Sequence, residues 1–333
     1  MSGRSPMFVS YSANYEDVIL NRVFGSRNSG FYIDVGAAHP LYENDTRALY
    51  DRGWRGINIE PNATFYRELV AGRPRDRNVN AAVSDTPGQL IYHEVIGTGL
   101  STCDPEEAAR AAAKGFEVVR HAVDAVSLRH ILEDAAAPAI DLLKVDVEGF
   151  ELKVLASNDW DRFRPTIIVA EATFPESPSR RPDLVAPYLA ERGYRRVYFD
   201  GLNDFYVERD FEPPPEAFDR PPNVFDRFEP YTLHRLAREL ETAKTFIASL
   251  SDELKKRSED HIDVENARAE LRAMHARGRA LADQLDEMTT AQAAACSELH
   301  RVYHSTSWRI TRPLRGLRHP RRALRILLGR SPS

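Results

Sequence analysis

Three charged residues stand at every second position of "LLKVDVEGFE" (142–151): Lys144, Asp146 and Glu148. Alternate side chains of a β-strand share a face, so these three point one way and Leu143, Val145 and Val147 the other. Two carboxylates and an ammonium in one row can take up a proton, balance a buried charge or hold a cation. Mid-strand charges are costly in a sheet covered on both faces, but the carboxyl end of a parallel strand opens into a ligand crevice. The row therefore reads as a gradient, with Lys144 deepest, Asp146 at the rim and Glu148 in the turn beyond. Glu171, near the end of another apolar run, "TIIVAEA" (166–172), can join them. A structural use is the alternative: a Lys144–Asp146 or Lys144–Glu171 ion pair, with Glu148 capping the next helix.

Two further carboxylates end apolar runs upstream. "FYIDVGAAHP" (31–40) sets Asp34 two residues before Gly36, and "GINIEP" (56–61) reaches Glu60. Glycine lets a turn approach a ligand closely, and a carboxylate can accept hydrogen bonds from both hydroxyls of a ribose. The dinucleotide fingerprint is incomplete, because Ala38 and Leu41 stand at two of its glycine places, and there is no P-loop Gly-Lys-Ser/Thr. Two acidic strand ends without a phosphate loop favour a nucleoside lacking a pyrophosphate. S-adenosylmethionine is the leading candidate.

The surrounding pattern supplies the elements that must position these groups. Apolar runs at 30–36, 56–60, 78–84, 140–147 and 166–172 read as strands, with amphipathic helical segments such as "TRALYDRGW" and "ATFYRELVAG" between them. "DLVAPYLAERG" (183–193) reads as a helix, and 194–209 as two strands joined at Gly201. The fold class is α/β: a mostly parallel sheet with helices on both faces and one antiparallel strand. "GQLIYHEV" (88–95) adds a strand and "DPEEAARAAAKG" (104–115) a helix or lid. The Pro-rich stretch 211–230 marks a boundary. Beyond it, Leu236, Leu240, Ala243, Ile247, Leu250 and Leu254 follow the 4–3 spacing of a coiled-coil seam. The seam weakens at Arg257 and His261 and resumes one residue out of register from Val264 to Met288. A long C-terminal coiled-coil helix region follows, as one helix or two with a break. Self-association into a homo-oligomer is its expected use, against a fold-back on the catalytic domain or a helix for another partner. The expected divisions are 1–210, a linker at 211–230, helical coiled coil at 231–304, and a basic tail at 305–333.

Taken together, the motifs resemble the FkbM-type, S-adenosylmethionine-dependent methyltransferases. The residues that carry the resemblance are "YSANYEDVIL" (11–20), "FYIDVGAAHP" (31–40), "GWRGINIEPN" (53–62), "NAAVSD" (80–85), "IDLLKVDVEGFELKVL" (140–155) and "IIVAEA" (167–172). They cover roughly residues 8–209, and "LKVDVEG" is the most distinctive of them. Where the family often carries an Asn and a second Gly after "DVGA", this chain has Ala38, His39 and Pro40. The resemblance implies a Rossmann-like class I methyltransferase sheet. It places Asp34, Gly36 and Ala37 at the amino-acid end of the cofactor and Glu60 on its ribose. It places the turn from Ala81 and Ala82 to Ser84 near adenine, and Asp146 facing the methyl group or the acceptor. Asn14 and Asp17 would cover the cofactor with the helix they begin, or simply cap that helix at the surface.

Methyl transfer to a hydroxyl needs alignment of oxygen, methyl carbon and sulfur, and a route for the proton. Asp146 and Glu148 are the leading catalytic candidates, with Glu171 and Lys144 beside them and His39 and His93 as outsiders. Alternatively, Asp146, Glu148 and Glu171 hold a divalent metal that acidifies the hydroxyl. The expected acceptor is a hydroxyl of a sugar or glycan of the surface-polysaccharide kind. The competing readings are a small natural product such as a polyketide, or a non-catalytic coiled-coil scaffold.

Composition narrows the setting. The 333 residues are 42% hydrophobic and 29% charged, with a formal net charge of −5. Eight arginines and no acid lie between Ser305 and Ser333, which leaves the body distinctly acidic and disfavours nucleic acid as a partner. Cys103 and Cys296 have no metal-ligand or disulfide spacing, which fits a reducing cytoplasm. The first residues lack a signal-peptide core and no run of about 18 apolar residues occurs. The expected location is cytoplasmic. The tail, which alternates arginines with Leu, Ile and Trp308, would make peripheral contact with the inner membrane face or pack on acidic protein surface.

Overall fold

The computed structural model describes residues 7–257 and 264–304. The basic tail, and with it the expected membrane contact, lies outside the described residues. The chain divides into two compact units: Ser10–Pro222, and a second in which the residues from Asn223 onward join those up to Val9.

Along the chain, β1 (Phe8–Ser10) and α1 (Glu16–Phe24) precede the first strand of the large sheet, β2 (Phe31–Val35). There follow α2 (Arg47–Asp51), β3 (Arg55–Ile59), α3 (Ala63–Gly72), β4 (Arg77–Val79) and β5 (Ala82–Val83). Next come β6 (Gly88–Val95), α4 (Pro105–Ala113), β7 (Val118–Val126), α5 (Leu128–Asp134) and β8 (Leu142–Val145). The unit closes with α6 (Glu151–Ala156), β9 (Ile167–Glu171), α7 (Val185–Glu191), β10 (Tyr194–Phe199) and β11 (Asn203–Glu208).

The large sheet has seven strands in the order β10-β11-β9-β8-β2-β3-β4. β4, β3, β2, β8 and β9 are parallel, and β11 runs antiparallel to both β9 and β10. The fold is thus mixed α/β with a mostly parallel sheet. The apolar residues of each strand divide by parity. Ile33, Val35, Ile57, Ile59, Leu143, Val145, Ile168 and Ala170 pack on one face, with Ile131 and Leu132 of α5 and Val154 and Leu155 of α6. Tyr32, Leu142, Ile167, Val169 and Phe205 pack on the other, with Ile19 and Leu20 of α1 and Leu49 of α2. Strand order reverses direction at β2: the chain leaves it toward β3 on one side and returns to β8 on the other. A doubly wound sheet binds its ligands at such a switch point, outside the carboxyl ends of the strands.

The run 78–84 forms two strands rather than one. β4 joins the large sheet and β5 a second sheet of order β5-β7-β6. β7 is not marked by the apolar pattern, because Arg120, His121 and Asp124 stand exposed along it and its partner β6 supplies its ladder. Residues 211–222 of the Pro-rich stretch pack on their own unit: the Arg22 guanidinium donates to the carbonyls of Ala217, Arg220 and Pro221.

In the second unit, β12 (Phe228–Pro230) pairs with β1 and leads into α8 (Tyr231–Arg257), and α9 (Val264–His304) follows. Leu236 and Leu240 of α8 pack on Leu281 of α9, flanked by Leu285 and Met288. Low numbers on one helix meet high numbers on the other, so the two run antiparallel. Of the expected coiled-coil region, the structure therefore shows two helices whose seams meet within one chain.

Candidate functional site

The polar residues of the large sheet gather at the carboxyl ends of β2, β3, β8 and β9. Asp34 and Lys144 are register partners on adjacent strands, which places their side chains on the same face. Asp34 is fully buried. Its Oδ2 accepts from the Thr46 hydroxyl at 2.8 Å, and its Oδ1 lies 3.8 Å from the Lys144 ammonium. Lys144 also reaches Asp146 at 3.3 Å and donates to the Gly36 carbonyl at 3.5 Å. Burial alone would lower the Lys144 pKa, but the carboxylates of Asp146, Asp34 and Asp45 outweigh it and raise it. The ammonium is a permanent charge that ties the ends of β2 and β8 together through Asp34 and Gly36, besides forming the Lys144–Asp146 pair.

Gly36 sits where the two strand ends touch. Its φ is +78°, and a Cβ there would stand 1.8 Å from the Asp146 carbonyl oxygen. Only glycine fits, on conformation and on space. Ala37 is buried behind the turn and donates to the Ile59 carbonyl. Ala38 takes φ +47°, a conformation that favours glycine. The loop beyond is pinned from below by the buried Arg73, which donates to the Pro40 carbonyl and to Asn44.

A cleft opens above this turn. Gly36, Ala38, Glu60, Ala81, Ala82, Asp146 and Glu148 line it, together with Phe65, Tyr92, Thr102, Cys103 and Phe150. Glu60 is held on both oxygens: Asn62 N donates to one at 2.7 Å and Ala38 N to the other at 2.9 Å. Burial pushes its carboxyl up to about 7, against the two backbone donors that pull it down. Asn62 meanwhile caps α3 through Thr64 N and Phe65 N. The wall opposite Glu60 comes from the small sheet, through Tyr92 on β6 and the loop that follows it.

At the other end, β8 runs into Val147, Glu148 and Gly149. Glu148 has φ +54° and Gly149 +101°. The turn is fixed by the Glu151 carboxylate, which accepts from Val147 N and Gly149 N, and by the Thr102 hydroxyl donating to the Glu148 carbonyl at 2.8 Å. Oxygens of Asp146, Glu148 and Glu171 lie within 4.8 Å of one another. Burial, then the Asp146 and Glu151 carboxylates, push Glu148 up to about 9. Burial, then Asp146 and Glu148, push Glu171 up to about 11. Arg181 stands over Gly149, with one nitrogen paired to Glu107 of α4 and the other 3.7 Å from Glu148 and 3.9 Å from Glu171.

Residues 34–196 match the family model described as the methyltransferase FkbM domain. This segment is a methyltransferase FkbM domain. No curated protein matches the chain. The matched segment begins at Asp34 and contains Gly36, Glu60, Lys144, Asp146, Glu148, Glu171 and Arg181. Both ends of the cleft therefore lie within the FkbM domain, which identifies a methyltransferase.

The structure sorts the remaining candidates by place. Gly36, Glu60, Ala81, Ala82, Asp146 and Glu148 line the cleft of the FkbM domain. Asp34, Ala37 and Lys144 lie beneath it, and Glu171 adjoins it through the carboxylate cluster. Asn14 and Asp17 are not among the residues lining the cleft: Asn14 N donates to Glu16, while Asp17 accepts from the Ser10 hydroxyl and Tyr11 N. His39 accepts from Leu41 N and Tyr42 N and so shapes its own loop. Sequence reasoning passed over Thr46, Thr102, Glu107 and Arg181. Each acts across a long sequence separation, and a lone Thr or Arg carries no spacing signal.

Proposed function

We propose that the chain uses S-adenosylmethionine to methylate a hydroxyl oxygen of a sugar or glycan. The observation that carries this reading is a single cleft with a carboxylate at each end: Glu60 over the β3 terminus and Asp146 with Glu148 over that of β8. The residues present fit the cofactor. Both Glu60 oxygens keep a free lone pair for a ribose hydroxyl after accepting one backbone donor each. Phe65, Ala81, Ala82, Val83 and Tyr92 offer an apolar wall for a base, and Gly36 leaves backbone exposed at the switch point. Nothing along the wall resembles a cradle for a pyrophosphate.

S-adenosylmethionine supplies a methyl group on a sulfonium, an electrophile that needs no activation by the protein. The work of this chain is then to orient the acceptor and move a proton. Bound in the cleft, the cofactor would give its methyl carbon to the acceptor oxygen and keep the carbon–sulfur electron pair on sulfur, and the part left to this chain would be to receive the hydroxyl proton on a carboxylate. We assign that role to Asp146, which lines the cleft; Glu148 lines it too, but burial and its acidic neighbours push its carboxyl up to about 9, so it holds its proton at neutral pH. A cleft end lined by two carboxyl groups suits a ligand dense in hydroxyls, which supports a carbohydrate over an apolar polyketide.

The test uses the purified full chain with methyl-labelled S-adenosylmethionine and a panel of nucleotide sugars and polysaccharide fragments. Label is expected in a carbohydrate acceptor and is expected to disappear in Asp146→Asn. Calorimetry that detected no binding of S-adenosylmethionine or its demethylated product would reject the reading.

A further inference from the structure

We infer that Asp146, Glu148 and Glu171 form a site for one hard divalent cation, Mg²⁺ or Mn²⁺, at the acceptor end of the cleft. The inference rests on the methyltransferase reading above for its use, but not for its chemistry.

The three residues come from the ends of the adjacent strands β8 and β9 and the turn after β8, and oxygens from all three lie within 4.8 Å of one another. Around a hard cation with metal–oxygen bonds of about 2.1–2.4 Å, ligand oxygens stand roughly 3–4.8 Å apart. An all-carboxylate set suits Mg²⁺ or Mn²⁺ and not a soft metal.

Proximity of acids is not enough by itself. The second observation is what their oxygens fail to do. Glu148 Oε2 and Glu171 Oε2 are buried and have no hydrogen-bond partner. Their side chains are 10% and 5% exposed, so neither oxygen is satisfied by bulk solvent. Buried polar atoms are nearly always paired, and two unpaired oxygens on neighbouring carboxylates call for a shared positive partner. Arg181 does not fill that role. Its Nη2 is also without a hydrogen bond and stops 3.7 and 3.9 Å from the two oxygens, while Nη1 is committed to Glu107.

The charges agree. Lys144, Arg181 and the half-exposed Arg110 stand among seven acidic side chains, Asp34, Asp45, Asp146, Glu148, Glu171, Glu151 and Glu107. A divalent ion at the cluster would let its three carboxyl groups ionise together. It would also leave coordination positions toward the cleft, because Asp146 and Glu148 line it and Glu171 lies behind them. An acceptor hydroxyl bound there is acidified by the cation. As its oxygen bonds to the methyl carbon, the proton passes to a second oxygen of one of the three carboxylates.

The experiment is a titration of metal-stripped full-length protein with MnCl₂, with free Mn²⁺ followed by electron paramagnetic resonance. One saturable Mn²⁺ per chain is expected, displaced by Mg²⁺ and weakened at least tenfold in Glu171→Gln. Thermal melting checks that the variant is folded, and Asp146→Asn serves if it is not. Absence of a saturable site, or the same affinity in the folded variant as in the wild type, overturns the proposal. Calorimetry of the same stripped protein with S-adenosylmethionine separates the two claims. Cofactor binding without Mn²⁺ binding removes the metal and keeps the methyltransferase reading, whereas the opposite result does the reverse.

Discussion

Glu60 and Glu171 are both buried carboxyl groups at the ends of strands in one sheet, on either side of the small-sheet insertion in sequence, yet they are held very differently. Glu60 has a backbone N–H on each oxygen, both from turns beside it. Glu171 has an oxygen with no hydrogen-bond partner and a guanidinium that stops short of it. The first is a finished, preorganised acceptor, fixed before any ligand arrives. The second belongs to the carboxyl cluster that the proposed cation would complete. A binding end can be rigid because its ligand is constant; a reacting end keeps groups available for charge that develops later.

The two ends are joined at Gly36, so the largest effect is expected there. Gly36→Ala combines a φ of +78° with a Cβ 1.8 Å from the Asp146 carbonyl oxygen. Backbone against backbone cannot be relieved by a rotamer change, and the β2 turn must part from the β8 turn. A loss of more than about 4 kcal/mol of stability is expected, the range reserved for broken special backbone positions. Urea unfolding would measure it. A variant within about 1 kcal/mol of wild type would show that the two ends are not mechanically joined.

Lys144→Met comes next. It leaves Asp34 fully buried with only the Thr46 hydroxyl and removes the cation from Asp146. Stranding a buried carboxylate costs about 3 kcal/mol. Adding Asp34→Asn removes the stranded charge, so the double variant should regain at least half of the loss in the same urea experiment. Simple additivity of the two changes would mean that Lys144 and Asp34 do not act as a pair.

Much of this arrangement was legible in the sequence, and the reasons are specific. Parity along β8 separated Leu143 and Val145 from Lys144, and the burial of both sets follows it. The strand-end carboxylates Asp34, Glu60 and Asp146 were visible because an acid interrupting an apolar run has few structural uses. The parts that were not legible depend on contacts between distant segments. Arg181 reaches Glu107 from a loop seventy-four residues away. β7 carries too many exposed polar residues to read as a strand, since pairing with β6 and not burial keeps it extended. For the helical region, a 4–3 seam specifies an apolar stripe but not what covers it. Here Leu236 and Leu240 find Leu281 in the same chain.

The contrast between the ends also predicts a pH effect at Glu60, where burial lifts the carboxyl from 4.5 to about 7. The folded protein therefore holds a proton on Glu60 that the unfolded chain has released between pH 4.5 and about 7. Stability of the free protein from this group is full below pH 4.5 and falls as pH rises through about 7. Ligand affinity moves the opposite way, because the ionised form is the better acceptor for ribose hydroxyls. S-adenosylmethionine should bind about tenfold more tightly at pH 8 than at pH 6, a difference of about 1.4 kcal/mol. Calorimetry at several pH values would read this slope. The slope should vanish in Glu60→Gln, and its persistence there would assign the titration to another group.

The smallest effect separates two residues that share a backbone conformation. Ala38 at φ +47° and Glu148 at φ +54° both occupy the left-handed region, one at each end of the cleft. A non-glycine residue there carries about 1 kcal/mol of strain, whereas glycine carries none but loses about 0.5–1 kcal/mol of entropy on folding. For Ala38 only the backbone acts, through its N–H to Glu60, and its methyl group has no role in that contact. Ala38→Gly should therefore change stability by less than about 0.5 kcal/mol and leave cofactor affinity intact. Glu148→Gly makes the same backbone exchange but deletes a carboxylate of the proposed cation site. It should leave S-adenosylmethionine binding within twofold while Mn²⁺ affinity falls at least tenfold. Equal responses of the two variants in the Mn²⁺ titration would mean that Glu148, like Ala38, serves only the turn.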